Sequence, residues 1–347
     1  MNRLIYLFVF LLLLGCRDSS QSGVKTDQYK KLRGITMGVI PYNITFKVPK
    51  KKLLQQQIDS LLNSLNEGSS TYEENSVISR FNRSEKGITI INEGPARHFL
   101  TNLIIAKEVF EKSDGYFDPT VAPLVKYYGF YDKKGEGIRK IDSTKVKELL
   151  TLVGLDKIQL LKENDQYSIR KENPGIQLDF SAIAKGYAID EVARFLELND
   201  IFDYLVEIGG EVRAKGKNSK GRWWKIGIKK PTQEASKGYF MGTPELKNQA
   251  MATSGNYESF KLINGVKMGH TLNPKTGFPE LNPLLSASVF SEHCIIADSY
   301  ATAFMSMGKE KALTLVEELP EISAYLVYID LDGKIRTVHT KEITEIF

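Results

Sequence analysis

The chain has 347 residues, and its 47 Lys and Arg residues outnumber its 42 Asp and Glu residues, which gives a net charge of +5. Hydrophobic residues make up 42% and charged residues 26%, a globular composition that excludes a disordered chain, a collagen and a polytopic membrane protein. With only two cysteines, a disulfide-rich scaffold is excluded as well.

The first fifteen residues have the pattern of an export signal. Arg3 precedes an uncharged apolar run over residues 4–14, which as a helix is only about 16 Å long and too short to cross a bilayer. The sequence Leu-Leu-Gly-Cys over 13–16 resembles a bacterial lipobox. That resemblance implies a signal peptide over 1–15 and a lipid on Cys16, so that the protein is anchored to a membrane of a bacterial cell envelope and faces the periplasm or the outside. The alternative is an uncleaved signal anchor with an incidental cysteine.

The remaining elements follow in chain order. Polar residues over 16–32 predict a flexible tether, which leads into one domain over 33–347. Alternation predicts a strand over 39–46, and apolar residues three and four apart predict helices over 53–65, 95–111 and 139–153. Further strands are predicted over 176–180, 203–208, 223–228, 284–290 and 322–330, with helices over 182–198, 296–307 and 309–318. This mixture without strict alternation of strand and helix predicts an α+β fold.

Several enzyme classes are excluded by motifs that the sequence lacks. It contains no G-x-x-x-x-G-K-[ST], and no G-x-G-x-x-G between a strand and a helix, which disfavours a P-loop or Rossmann enzyme. The four histidines show no zinc-binding spacing, and no G-x-S-x-G elbow occurs. Because no basic cluster with interleaved aromatic residues is present, a nucleic-acid partner is not expected.

Residues 178–188 connect a strand-like run to a predicted helix through small residues, with Ser181 as the expected N-cap. The small side chains leave backbone N–H groups accessible, and Lys185 adds a positive charge, so this segment is suited to bind a phosphate. The alternative is a capped surface helix with a solvated lysine.

Asp298 and Thr302 lie four residues apart and so share one face of a predicted helix. One carboxylate and one hydroxyl suit Mg²⁺, which prefers oxygen ligands and keeps waters or substrate phosphates in its shell. In the alternative, Asp298 complements the helix N-terminus and Thr302 bonds back to a carbonyl.

Two loops rich in Pro and Gly, over 113–120 and 269–277, hold aromatic residues, acids and His270. His270 is a candidate general base near neutral pH, although a single histidine is also a common structural hydrogen-bonder.

Taken together, these segments resemble the ApbE family of FAD:protein FMN transferases over roughly residues 33–330. The resemblance rests on residues 34–38 (GITMG), 70–72 (STY), 76–82 (SVISRFN), 115–121 (GYFDPTV), 178–186 (LDFSAIAKG), 207–211 (EIGGE), 252–255 (ATSG), 270–274 (HTLNP) and 297–298 with Thr302. It implies an ApbE-like, T-fold-like α+β architecture of mixed sheets and helices, with an FAD cleft between two lobes.

The activity implied by this resemblance is Mg²⁺-dependent transfer of FMN from FAD to a threonine hydroxyl of a target protein, with release of AMP. In such proteins the acceptor threonine lies in an Asp-x-x-[Ser/Thr]-Gly-[Ala/Ser]-Thr motif of membrane redox subunits, so flavin-acceptor subunits of membrane redox complexes are the expected partners. Two alternatives stay open, namely an Mg²⁺-dependent FAD pyrophosphatase that yields FMN and AMP, and a flavin-binding lipoprotein without turnover.

The resemblance also implies roles for individual residues. His270 is the expected catalytic base for the acceptor threonine. The metal would be held by Asp298, Thr302 and backbone oxygens at Ala182 and Ala301. The residues expected to contact FAD are Met37, Tyr72, Tyr116, Phe117, Asp118, Asp179, Lys185 and Thr271.

Overall fold

A computed structural model describes residues 28–49, 55–130, 140–231, 240–256, 260–263, 266–280, 282–341 and 343. The predicted signal peptide and Cys16 lie outside these residues. Within the described residues the helices are α1 Gln55–Ser69, α2 Val77–Arg83, α3 Gly94–Lys112, α4 Ala122–Tyr128, α5 Ser143–Leu150, α6 Ala184–Glu197, α7 Cys294–Met307 and α8 Lys309–Glu318. None of them is long and apolar enough to cross a membrane.

The strands of the described residues form one large sheet and several small ones. The strands are β1 Tyr29–Thr36, β2 Ile40–Lys47, β3 Gly87–Ile91, β4 Ile158–Glu163, β5 Gln166–Lys171, β6 Tyr204–Ile208, β7 Glu211–Lys215, β8 Trp224–Lys225, β9 Ile228–Lys229, β10 Phe240–Gly242, β11 Glu245–Leu246, β12 Ala250–Gly255, β13 Phe260–Ile263, β14 Val266–Gly269, β15 Leu284–Ser291, β16 Ile322–Ile329 and β17 Ile335–His339. The eight-stranded sheet has the order β1-β2-β6-β7-β12-β15-β16-β17, with antiparallel neighbours throughout.

The large sheet is covered on both faces in its central part. Helices α6 and α7 pack on one face, and α1 and α3 pack outside them, which encloses the main core. A smaller apolar cluster, which includes Trp224 and Leu246 from the short strands β8 and β11, covers the other face. Strand β15 is therefore buried over seven of its eight residues, which explains its nearly continuous run of small and apolar side chains.

A third apolar cluster holds the loop over 270–280 against α4 and α5. Leu272 packs with Leu124, Tyr128 and Val146, and the Tyr128 hydroxyl donates to the Gly277 carbonyl at 3.0 Å. The loop that contains His270 is thus tied to the helical layer by its central residues.

The α+β prediction is confirmed, and most predicted elements are present, but three predictions need correction. Residues 176–180 are not a strand, because the side chain of Asn82 bonds to both the N–H and the carbonyl of Leu178 at 2.7 and 2.9 Å and takes the place of a neighbouring strand. Ser181 is not the N-cap of α6, which begins at Ala184 after Ile183. The segment over 223–228 is broken into two short strands, β8 and β9.

The end of the predicted tether over 16–32 overlaps strand β1. Strand β1 begins at Tyr29 and pairs with β2 along its whole length. Residues 29–32 therefore belong to the folded domain, and residues 16–27 lie outside the described residues.

A buried histidine links α3 to α6. His98 is 2% exposed, and its Nδ1 lies 2.9 Å from the Tyr187 hydroxyl. Burial, helped by the positive charge of Arg97, lowers the pKa of His98 from 6.5 to about 4. The folded protein therefore favours the neutral imidazole.

This histidine predicts a pH-dependent loss of stability. Because the pKa of His98 is lower in the folded state, neutral His98 contributes to the free energy of unfolding above pH 6.5. This contribution is lost as the pH falls toward 4, and the loss is at most about 3 kcal/mol. The substitution His98→Gln should make the free energy of unfolding less dependent on pH across this range, as measured by urea titration at several pH values. The exposed His339→Gln is the matched control, and parallel curves for wild type and His98→Gln would contradict the prediction.

Candidate active site

The site lies where α6 crosses α7, and the backbones of the two helices are almost in contact there. A Cβ atom at Gly186 would lie 2.4 Å from the Cys294 carbonyl oxygen and 2.8 Å from the Asp298 Cβ. The Gly186 N–H donates to Asp298 Oδ2 at 2.9 Å. Gly186, in the 178–188 segment that the sequence predicts to bind a phosphate, therefore allows the close approach that brings Lys185 and Asp298 together.

The N-terminus of α7 is fixed by a side chain of α6. The Asp190 carboxylate accepts hydrogen bonds from the N–H groups of Cys294 and Ile295, each at 2.9 Å, and Arg213 pairs with it at 2.6 Å. A carboxylate at a helix N-terminus satisfies backbone donors and opposes the positive end of the helix dipole. The direction of α7, and with it the position of Asp298, is thereby set.

The charge cluster, as we call it, consists of Lys185, Glu211 and Asp298; the two carboxylates are buried and the lysine is partly buried. Lys185 Nζ lies 2.9 Å from Glu211 Oε1 and 3.3 Å from Asp298 Oδ1, and the side chains are 21%, 8% and 3% exposed. Burial acts to lower the pKa of Lys185, but the charges of Asp298 and Glu211 outweigh it and hold this pKa above its ordinary value. Burial raises the pKa of Glu211 to about 7 despite Lys185. With both carboxyl groups ionised, the cluster has one negative charge in excess.

The oxygen atoms around the charge cluster fit a divalent cation. Asp298 supplies a carboxylate, and one turn later the Thr302 hydroxyl lies 3.1 Å from Ser254 Oγ on β12. Glu211 Oε2 is buried and has no hydrogen-bond partner among the described residues, which a nearby positive charge would relieve. The described residues hold no group of three or more His, Cys, Asp or Glu side chains that could bind a metal. Mg²⁺ is commonly bound through one or two carboxylates with substrate phosphates and waters as further ligands, and the Asp298 carboxylate and Thr302 hydroxyl are oxygen ligands of that kind.

The backbone positions predicted for the metal lie at the same crossing. Ala301 is buried in α7 beside Thr302, and Ala182 lies in the turn that leads into α6 and packs against the main core. Lys185 and Asp298 thus meet where α6 crosses α7, with Ala301 and Thr302 in the next turn of α7 and Ala182 two residues before α6.

Tyr72 and Asp179, two residues expected to contact FAD, interact electrostatically. Partial desolvation, together with the negative charge of Asp179, raises the pKa of Tyr72, although its side chain is 76% exposed. Asp179 is buried, and its Oδ1 accepts the Ser181 N–H at 2.8 Å. The charge of Asp179, two residues before the turn that leads into α6, is therefore felt by the exposed Tyr72.

The turn between β1 and β2 lies at the same end of the molecule. Met37 occupies this turn at φ 48° and packs partly against the main core. A Cβ at Gly209 would be 2.9 Å from Ile40 and 3.4 Å from Lys185 Cδ. Ile40 begins β2 directly after the turn, so the end of the turn that holds Met37 borders Gly209, which lies beside Lys185.

The loop over 113–120 contacts both the segment before α6 and the loop over 270–280. The Asp179 N–H donates to the Pro119 carbonyl at 2.8 Å, and Lys275 pairs with Asp114. Lys275 and Lys311 each lie 4.7 Å from the centre of the Tyr116 ring. An open pocket of about 310 Å³ lies between the two loops; Asp118, Gly115, Pro274 and Lys275 help to line it.

Phe117 and Asp118, two residues of this loop that are predicted to contact FAD, are buried. Phe117 is only 2% exposed and belongs to the main core, so its ring presents no open face for stacking. Asp118 is also buried, and its Oδ1 accepts the N–H and the hydroxyl of Thr120 at 2.8 and 2.5 Å. Burial raises the pKa of Asp118 to about 6. Both residues shape the loop, whereas Tyr116 is the aromatic residue on its outer side.

His270 and Thr271 follow β14. His270 is exposed, and Thr271 is buried and donates from Oγ1 to Asn256 Oδ1 at 2.9 Å. The Glu280 N–H donates to the Thr271 carbonyl at 3.0 Å, which closes the base of the loop. The imidazole is therefore held on a constrained loop and open to solvent.

Several residues of the site escape prediction from the sequence. Glu211, Asp190 and Ser254 become neighbours of the predicted residues only through the pairing of β7 and β12 and the crossing of α6 and α7. Glu211 lies in a segment that the sequence singled out, over 207–211, but nothing in its spacing points to Lys185.

Comparisons with known proteins identify the family of this chain. A sequence model described as the ApbE family matches residues 37–326. The chain belongs to the ApbE family. A relative from Haemophilus influenzae, named FAD:protein FMN transferase, is 34% identical over 308 residues and covers 87% of each chain. The prediction that the chain is an enzyme of the transferase class is thereby confirmed.

Solved structures of the ApbE family share the fold. The flavin transferase ApbE from Vibrio cholerae has a TM-score of 0.79 at 30% identity, and the match covers 92% of this chain and 99% of that one. The apo flavinyl transferase ApbE from Pseudomonas stutzeri has a TM-score of 0.78 at 29% identity, over 92% and 97% of the two chains. The predicted ApbE-like fold is therefore confirmed.

The helix crossing makes a prediction about Gly186. In Gly186→Ala the new methyl group would press on the backbone of Cys294, which cannot rotate away, so the free energy of unfolding should fall by ~1–3 kcal/mol. The control is Gly175→Ala, whose methyl group would meet the mobile end of the Leu152 side chain at 3.0 Å. Chemical denaturation measures both, and equal losses would show that the crossing tolerates a methyl group.

Proposed function

We propose that this protein transfers the FMN part of FAD to a threonine hydroxyl of an acceptor protein, with the help of Mg²⁺ and with release of AMP. The observation that carries the proposal is the charge cluster, which places a lysine and a buried carboxylate beside the Thr302 hydroxyl in a chain whose relatives are named FAD:protein FMN transferases. Cleavage of a pyrophosphate needs its oxygens neutralised, and these groups suit that need.

The reaction balances as a single displacement at phosphorus. The threonine oxygen forms a bond to the phosphorus on the FMN side of the pyrophosphate, and the bond from this phosphorus to the bridging oxygen breaks. The bridging oxygen leaves with AMP, and the hydroxyl proton passes to a base. The product is a phosphoester, and no oxidant or reductant is needed.

The residues of this chain have separate parts in that step. Lys185 neutralises phosphate oxygens, while Asp298, Thr302 and the carbonyls of Ala182 and Ala301 hold the cation. Mg²⁺ supplies charge neutralisation on the pyrophosphate when it is bound. Tyr72, Met37, Tyr116, Asp179 and Thr271 bind and orient FAD at the loops around the cluster.

His270 is the proposed base for the acceptor hydroxyl. It is exposed on a loop tied down by Thr271 and Leu272, so an incoming protein can approach it. A neutral threonine is a poor nucleophile, and a base within hydrogen-bond reach accelerates its attack by roughly 10²–10⁴-fold.

The test incubates the purified protein with FAD, Mg²⁺ and a carrier that has the Asp-x-x-[Ser/Thr]-Gly-[Ala/Ser]-Thr motif. The mass of the carrier and the amount of free AMP are measured. A carrier gain of one FMN with an equal amount of AMP supports the transferase. Free FMN and AMP with an unmodified carrier would instead indicate FAD hydrolysis, and the absence of both products would indicate binding without turnover.

The base makes a prediction that separates chemistry from binding. His270→Ala should retain FAD affinity, measured by quenching of flavin fluorescence, and should lower the rate of carrier modification by roughly 10²–10⁴-fold. His339→Ala, at the exposed end of β17, serves as the control. Transfer at the wild-type rate in His270→Ala would show that the base is a different group.

The proposed setting is a bacterial cell envelope. Lipid on Cys16 would anchor the protein to a membrane facing the periplasm or the outside, where acceptor subunits of membrane redox complexes are exposed. The lipobox resemblance of residues 13–16 supports this proposal.

Lipidation at Cys16 predicts a difference in the incorporation of labelled lipid. With Cys16→Ser no thiol is available for acylation, so the labelled lipid incorporated by wild type should be absent from the variant. Cys294→Ser is the control, since Cys294 is buried. Equal lipid labelling of Cys16→Ser and wild type would contradict the assignment of Cys16.

A further inference from the structure

Glu211 is the member of the charge cluster that the proposed reaction does not use. It is the first residue of β7 and follows Gly209 and Gly210, whose φ values of 66° and 109° favour glycine. This turn brings the Glu211 carboxylate to Lys185, and the 2.9 Å contact is shorter than the 3.3 Å contact between Lys185 and Asp298.

Lys185 is shared between two carboxylates that have different further contacts. Asp298 is also held by the Gly186 N–H at 2.9 Å, and it is the proposed ligand of the cation. Glu211 Oε2 has no hydrogen-bond partner among the described residues. The ammonium group and a divalent cation therefore compete for Asp298, because both are positive and both require the same carboxylate.

Glu211 bears on this competition because it gives Lys185 a carboxylate partner other than Asp298. A divalent cation at Asp298 repels Lys185, and in a site that is mostly closed to solvent this repulsion is weakly screened. Glu211 is buried next to the ammonium group and gives it a second carboxylate partner. Without that negative charge, Lys185 would pair with Asp298 alone and oppose cation binding.

We propose that Glu211 is a positioning residue that holds Lys185 away from full pairing with Asp298, so that Asp298 can bind the cation while Lys185 stays in place for the phosphate. This inference rests on the proposed function for the identity of the cation site. It adds that affinity for the cation depends on a residue that acts through Lys185.

The matched control is Glu207, four residues earlier in the same segment. Its carboxylate bonds to Asn43 Nδ2 at 2.6 Å and to the Gly210 N–H at 3.0 Å. Glu207→Gln therefore removes a negative charge from the same segment without removing the partner of Lys185.

The experiment measures Mn²⁺ binding to the purified full chain in detergent, from the electron paramagnetic resonance signal of free Mn²⁺. Glu211→Gln should raise the dissociation constant about tenfold or more, while Glu207→Gln and wild type should agree within about threefold. In a Lys185→Met background, Glu211→Gln should change the dissociation constant by less than about threefold, because the competing ammonium group is absent. Glu211→Asp keeps the charge and should lose less affinity than Glu211→Gln.

Three results would overturn the inference. One is unchanged Mn²⁺ affinity in Glu211→Gln, and another is an equal loss with and without Lys185, which would mean that Glu211 acts on the cation directly. The third is an equal loss in Glu207→Gln. Thermal unfolding shows that each variant is folded, and if Glu211→Gln does not fold, Glu211→Ala, which also removes the charge, takes its place and is judged by the same three results. A wild-type protein that binds no Mn²⁺ would instead contradict the cation in the proposed function.

Discussion

The close crossing of α6 and α7 is the contact on which the rest of the site depends. A side chain at Gly186 would separate the helices, and their separation would remove the hydrogen bond from its N–H to Asp298. Because α7 also packs on β12 and β15, the same contact fixes the helix layer relative to the large sheet. Packing and chemistry therefore share one constraint: the helices must touch for the buried carboxylate to be satisfied.

Buried charge is tolerated here because each group has a defined partner. Asp190 is compensated by Arg213 and by the first N–H groups of α7, and Lys185 is compensated by Glu211 and Asp298. The two sets differ in one respect. The Asp190 set balances its charge within the protein. The charge cluster has one negative charge in excess when both carboxyl groups are ionised, and Glu211 Oε2 has no hydrogen-bond partner among the described residues. The first set is suited to hold structure and the second to receive a positively charged ligand.

The sequence predicts those parts of the fold that follow from local periodicity. The alternation that begins near Ile40 and the helical spacing in α1, α3, α6 and α7 give elements close to their observed bounds. The strand predicted over 176–180 fails because the side chain of a distant residue, Asn82, supplies the bonds that a partner strand would give. Likewise, Asp298 and Thr302 can be identified from their spacing, but Glu211 and Asp190 join the site only through tertiary packing. The burial of Phe117 cannot be predicted from the motif in which it lies.

The early start of β1 has a consequence for how far the enzyme can work from a membrane. If Cys16 carries the lipid, the chain from Cys16 to Tyr29 can reach at most about 45 Å even when fully extended. The folded domain would then search a thin layer next to the bilayer rather than the whole compartment. Such confinement raises the effective concentration of any acceptor loop that projects into that layer and leaves more distant threonines untouched, so tether length would act as a filter on substrates.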